Sequence, residues 1–248
     1  MMNHNHKLSI LFFFVIGSFF LLFSQDPSSI NMTSNEFVDQ RTFFFIPNFL
    51  DVISNLPFMY VGLKAIAYLS KHPQQEAKYS WWVLFFGVLL VTFGSSFYHW
   101  HPTDHTLLWD RIPMTFGFMG LLTAFLSEFV DSRFDKWLLL PLLIIGVVSV
   151  LLWYFLNDIR LYVWVQFFPL ALVPIILLLF SSPYTHKYYL LYALGFYVLA
   201  KLTEYWDKRI YTLTFDLVSG HTLKHLLAAV SAYYILLMLK KRQRRTSY

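Results

Sequence analysis

No cysteine occurs in the 248-residue chain. Disulfides and thiolate metal sites are therefore excluded, and the redox compartment is left open. Charge is nearly as scarce: Asp, Glu, Lys and Arg together make up 13% of the residues, about half the share of an ordinary soluble domain. Apolar side chains fill the space instead, with 57% hydrophobic residues and 21% Phe, Trp and Tyr. A soluble domain of this length could not hide so much apolar surface, so the composition points to an integral membrane protein. The net charge of +5 is concentrated in Lys240, Lys241, Arg242, Arg244 and Arg245. Behind a hydrophobic helix such a run reads as a cytoplasmic anchor rather than a nucleic-acid patch.

A membrane-spanning helix needs roughly 20 mostly apolar residues. Seven such runs are present: Phe43–Leu69, Trp81–Trp100, Leu107–Ser127, Trp137–Leu156, Tyr162–Phe180, Tyr188–Trp206 and Gly220–Leu239. An eighth, Leu8–Phe23, follows the leader MMNHNHK, and no small-x-small cleavage site follows it, so a retained helix is expected rather than a cleaved signal. The fold expected is an all-α polytopic membrane bundle of seven core helices with an extra N-terminal helix. In domain terms, residues 1–24 form the N-terminal hydrophobic helix and 25–42 a non-cytoplasmic loop. Residues 43–239 form the seven-helix membrane domain and 240–248 a basic cytoplasmic tail.

Basic residues set the orientation. With the C-terminus cytoplasmic, Lys7, Lys64, Lys71, Lys78, Arg133, Lys136, Lys187 and the five C-terminal residues lie inside. Only Arg41, Arg160, Lys208 and Arg209 lie outside, while Arg111, Lys201 and Lys224 fall within helices. That is a clear positive-inside bias.

Charges within a bilayer are costly and usually mark function. Asp51, Asp110, Arg111, Lys201, Glu204 and Lys224 lie within the expected spans, and in this topology all of them fall in the non-cytoplasmic half. The histidines divide likewise: His4, His6, His72 and His186 are cytoplasmic, whereas His99, His101, His105, His221 and His225 gather at outer helix ends. Contact with headgroups accounts for His101, Asp104 and His105, placed in a short exposed loop, and tolerably for Arg111. It accounts poorly for Ser95 and His225, each about 6 Å deeper than its partner four residues away.

Two pieces resemble halves of a metal site. His221 and His225 are four apart in SGHTLKHLL and share a helix face. His99 has Ser95 one turn before it on another helix. Three neutral imidazoles around Zn²⁺ leave a fourth position for water, the arrangement of a catalytic zinc. Asp110 begins the next helix, where a carboxylate could take a proton from that water, and Ser95 could donate to a developing oxyanion. Taken singly, an HxxxH pair also reads as helix packing or as a haem pair, and Ser95 as a small packing residue. Their shared depth favours the single ion.

The set Ser95-x-x-x-His99, Asp110 and His221-x-x-x-His225 resembles the CREST superfamily of seven-helix membrane proteins, which includes alkaline ceramidases, adiponectin and progestin receptors and haemolysin-III-like proteins. The resemblance spans roughly residues 40–240, and IPNFLDVISNLPF is most similar to the ceramidase branch. It implies one zinc held by His99, His221 and His225, with Asp110 and Ser95 as catalytic partners. It also implies hydrolysis of a ceramide-like or other N-acyl lipid to a fatty acid and an amine. Animal alkaline ceramidases carry an acidic calcium cluster before and within the first core helix. Here the stretch reads SNEFVDQRTFFFIPNFLD: Glu36 and Asp39 are present, but Arg41 intrudes and Asn48 stands where an acid is expected, so no calcium is expected. The extra N-terminal helix resembles the layout of bacterial relatives, a resemblance that implies a bacterial inner membrane.

Asn48, Asp51 and Asn55 form a polar stripe on the first core helix that must face the bundle, as packing glue or as a channel for a lipid headgroup. Lys201 and Glu204 sit three apart and are expected to pair, although Glu204 is also a candidate for holding a product amine. Lys224 is expected to partner Asp51 or Glu204. Asp51, Glu204 and Lys224 are therefore the candidate substrate-binding residues. The partner implied is a membrane lipid, with no nucleic acid. The alternatives are a receptor-like or structural protein with a helix-clamping zinc, and a lipid ester hydrolase.

Overall fold

Eleven helices follow one another in the computed structural model, which describes residues 3–27, 37–73 and 75–245, and no strand occurs among the described residues. Glu36 lies outside them, as does Asn31-Met32-Thr33, an N-glycosylation acceptor motif in the sequence. In chain order the first five helices are α1 (His4–Phe23), α2 (Phe49–Ile53), α3 (Leu56–Lys71), α4 (Lys78–Trp100) and α5 (Asp104–Phe129). They are followed by α6 (Phe134–Trp137), α7 (Leu139–Leu156), α8 (Arg160–Leu179), α9 (Tyr189–Tyr205), α10 (Asp207–Leu213) and α11 (Gly220–Lys241).

Helices α1, α2 with α3, α4, α5, α7, α8 and α11 are long and apolar enough to cross a membrane. α9 has 17 residues, about 25 Å of helix, and packs along α11 as the remaining core member. The architecture is thus seven core helices with an additional N-terminal one. α1 buries little of itself: Leu11 is its only buried residue, while Phe12, Phe13, Phe20 and Leu21 are exposed, as on a lipid-facing helix. It docks on α8, where the Trp164 indole donates to Ser18 Oγ at 3.1 Å and Phe14 stacks on Phe168.

Two expected spans are modified. The first core helix begins at Phe49 rather than Phe43. Residues 43–48 instead form a turn closed by reciprocal backbone bonds between Phe43 and Ile46, with Phe44, Phe45 and Asn48 in the left-handed region. Few non-glycine residues tolerate that region, and a regular helix cannot pass through it. The same span breaks at Ser54 and Asn55, because Pro57 opens α3 and cannot donate into a preceding turn. The Trp137–Leu156 run likewise divides at Leu138 into α6 and α7.

Close approach of backbones sets the site. A Cβ at Gly94 on α4 would meet the Trp109 carbonyl carbon of α5 at 2.9 Å, and a Cβ at Gly220 would meet Asp207 Cα at 2.7 Å. Small residues let membrane helices approach this closely. Gly94 thereby brings the Ser95–His99 face of α4 against Asp110 of α5, and Gly220 seats the start of α11 against α9 and α10.

Candidate metal centre

α4 delivers Ser95 and His99, both buried, in its last two turns, and α11 delivers His221 and His225 in its first two. Each of these ends is held from outside its own helix. The Asn48 side chain donates to the His99 carbonyl oxygen at 2.8 Å, satisfying one of the carbonyls that a helix C-terminus leaves unpaired. At α11, Ser219 caps by accepting from the Thr222 amide at 2.9 Å. The Ser219 and Thr222 hydroxyls lie 3.2 and 2.6 Å from Asp51 Oδ1. The Asp207 carboxylate accepts from the His221 amide at 2.8 Å; burial pushes this carboxyl up, against the lowering effect of the amides it receives.

The three imidazoles converge. One nitrogen from each of His99, His221 and His225 lies within 4.8 Å of the others, and His99 Nε2 stands 3.3 Å from His221 Nε2. Two nitrogens, each about 2.0–2.1 Å from a tetrahedral ion, are separated by about 3.3 Å. The protons are arranged for ligation as well. Ser54 Oγ donates to the Asp51 carbonyl at 3.1 Å and lies 2.8 Å from His225 Nδ1. A hydroxyl whose proton is so committed accepts from Nδ1–H, leaving the Nε2 lone pair for the cluster. Lys224 Nζ, a donor only, sits 2.7 Å from His221 Nε2 and 3.0 Å from Glu204; that nitrogen has a single lone pair, so the ammonium turns to Glu204 when His221 ligates an ion. The residues therefore fit a metal ion, and a set of neutral imidazoles suits zinc, copper, iron or nickel. Ser54→Ala is expected to lower metal affinity about 10–100-fold without removing a ligand, read by competition with a chromogenic chelator.

The centre forms one wall of a cavity of about 540 Å³ bordered by α4, α5, α8, α9 and α11. Ser95, Asp110, Glu204 and Lys224 line it with the three histidines, and the Ser95 hydroxyl neighbours the Asp110 carboxylate. Glu204 binds Lys201 and also Lys224, the latter at 3.0 Å. Of the two partners expected for Lys224, the structure provides Glu204. Asp51 is not among the lining residues; with Asn48 it ties α2 to α4 and α11, while Asn55 of the same stripe donates back to the Asp51 carbonyl. His101 lies in the 101–103 loop, and Asp104 and His105 open α5, all three exposed.

Three neighbours of the centre carried no sequence signal of their own. Phe37, one of 27 phenylalanines, covers the cluster, its ring 4.6 Å from that of His99 and 5.6 Å from that of His221. Ser54 and Asp207 reach it across the bundle. In the stretch before the first core helix, both Asp39 oxygens accept from Arg41, at 2.8 and 2.7 Å, and Arg41 also donates to the Leu217 carbonyl.

No curated protein and no solved structure gives a significant match to the chain. A family model described as Ceramidase matches residues 39–209, well over half of the 248 residues. The match includes Ser95, His99 and Asp110 and ends before His221 and His225, which the fold brings to them. The chain belongs to the ceramidase family.

Proposed function

We propose that this protein is a zinc-dependent intramembrane hydrolase that cleaves the amide bond of a ceramide-like or other N-acyl lipid, releasing a fatty acid and an amine or sphingoid base. The observation that carries the reading is the convergence of His99, His221 and His225 on a cavity that Ser95 and Asp110 also line. Membership of the ceramidase family supports the choice of an amide bond.

His99, His221 and His225 would hold the zinc, which supplies a Lewis acid beside the scissile carbonyl. Asp110 takes the proton from the attacking water as the new C–O bond forms. It returns that proton to the nitrogen as the C–N bond breaks, so the amine leaves neutral. The Ser95 hydroxyl donates to the carbonyl oxygen as negative charge develops there. The apolar part of the lining, including Phe37, Phe58, Met114 and Phe167, accommodates acyl chain and keeps bulk water from the reacting atoms. A lipid amide lies at the boundary of headgroups and acyl chains, the depth at which helix ends carry this site. The positive-inside bias supports a cytoplasmic C-terminus, with the site in the non-cytoplasmic half of a bacterial inner membrane.

Metal analysis of the detergent-purified protein, beside His221→Ala, tests the reading together with an assay of fatty-acid release from N-acyl lipids. About one zinc per chain in the parent, lost in the variant along with hydrolysis, is the expected result. Folded parent protein that binds no metal and hydrolyses no N-acyl lipid would sink it.

A further inference from the structure

Three cations line the cavity: Lys201, Lys224 and Arg111. The two lysines share Glu204. Arg111 is placed differently. It follows Asp110 directly on α5, and consecutive helical residues do not face one another, so the adjacent carboxylate does not close on it. The side chain is more than nine-tenths buried, and its Nη1 has no hydrogen-bond partner among the described residues. Its position is nevertheless well fixed. The guanidinium carbon lies 3.9 Å from the Trp153 ring centroid and 4.9 Å from that of Tyr162. Aromatic packing of this kind accommodates the faces of the guanidinium and leaves the N–H edge as its unmet requirement.

A guanidinium does not lose its charge in a protein, and a buried donor without an acceptor is costly to maintain. The group that satisfies an arginine edge best is a planar or tetrahedral oxyanion, which it can grip with two parallel charge-assisted bonds. The cavity also holds the carboxylates of Asp110, Glu204 and Asp207. Glu204 is engaged by the two lysines and Asp207 by the His221 amide, and no ion pair joins Asp110 to Arg111 among the described residues, so the acceptor for the free edge arrives with the ligand. We propose that Arg111 is the receptor for an oxyanion (carboxylate, phosphate or sulfonate) carried by the lipid that occupies the cavity. This rests on the reading of the cavity as the lipid-amide site. The oxyanion has two sources: a fixed anionic group on the substrate's headgroup, or the carboxylate freed by hydrolysis. Ceramide itself, with a neutral alcohol headgroup, offers only the second.

Native mass spectrometry of the detergent-purified full chain decides between them, because it identifies each bound lipid by mass and so shows any hydrolysis directly. The probes are N-palmitoyltaurine and N-palmitoylethanolamine, close in size and differing in charge, and palmitate beside hexadecanol. Wild-type protein is expected to prefer the anionic member of at least one pair by about tenfold or more. Arg111→Gln should bring that ratio close to one, and Arg111→Lys should retain part of it. Preference within the amide pair assigns the oxyanion to the headgroup, and preference confined to palmitate assigns it to the product. Ratios in Arg111→Gln equal to wild type in both pairs overturn the proposal, provided its melting temperature matches. If Arg111→Gln does not fold, Arg111→Lys with an unchanged melting temperature serves, an undiminished preference counting against the bidentate grip. Arg111-dependent binding without hydrolysis of any N-acyl lipid would sink the hydrolase reading alone, whereas hydrolysis without a charge preference in either pair sinks the receptor alone.

Discussion

Asp110→Ala is expected to lower hydrolysis of an N-acyl lipid by about 10³-fold or more, with zinc content unchanged. A positioned acid–base group contributes roughly 10²–10⁴-fold, and in an amide the same group acts twice, on the attacking water and on the departing nitrogen. Asp110 lines the cavity but is not one of the three clustered ligands, so its loss should leave the metal in place. Asp110→Asn, which keeps the shape and removes the proton acceptor, should lose nearly as much. An ester of the same chains should suffer less, because an alkoxide leaves more readily than an amide nitrogen and depends less on protonation. Retained zinc with collapsed amide turnover and a smaller loss on the ester is therefore the signature of the proposed role. Zinc lost together with turnover would instead move Asp110 into the ligand set. Turnover that survives would place the base elsewhere, and Glu204, tied to two lysines, is a poor replacement. A metal that merely clamps helices gives no turnover to lose, so parent activity itself excludes that alternative.

The legible parts of the site were those whose partners are close in sequence. His221 and His225, Ser95 and His99, and Lys201 and Glu204 are each three or four residues apart, and helical periodicity alone puts them on common faces. The spans were legible for a similar reason, since bilayer thickness dictates their length. What remained hidden depends on contacts between distant helices. Ser54 reaches His225 across 171 positions, and only because the helix breaks before Pro57. Asp207 meets the His221 amide because Gly220 lets α11 approach α10. Phe37 is indistinguishable in sequence from the many phenylalanines that face lipid. The polar stripe of Asn48, Asp51 and Asn55 was visible, and its facing inward followed from the cost of polar groups in lipid. Its partners did not follow, because nothing local to α2 states which helix ends it will meet. Arg111 was visible as an in-span charge that headgroup contact would explain, but its burial between two aromatic rings was not.

Glu128→Ala is expected to destabilise the bundle by roughly 3–5 kcal/mol, measured as loss of the folded state in a denaturing-detergent titration. The C-terminal basic run reads as a solvated tail, yet Arg242 folds back from the end of α11 onto Glu128 at the end of α5. The two are joined at 2.6 Å, with side chains 3% and 4% exposed. Glu128 also accepts from the Trp81 indole at 2.9 Å, and Arg242 donates to Gln75 at 2.6 Å and lies 4.2 Å from the Tyr184 ring centroid. Removing the carboxylate leaves a buried guanidinium whose Nε already lacks a partner, and strands the indole donor as well. The cost is that of the uncompensated charge rather than the net worth of the pair. Replacing both partners, as Glu128→Gln with Arg242→Met, should therefore recover most of the loss, a pattern that a solvent-exposed bridge would not give. Because α5 carries Asp110 and α11 carries His221 and His225, this pair ties together two of the helices that hold the base and the ligands in register, about 25–32 Å away along each helix. The single variant should thus lose its metal at a lower denaturant concentration than wild type, and the double variant near the wild-type value. If Glu128→Ala unfolds with the parent, the pair is hydrated and contributes only as a surface bridge does.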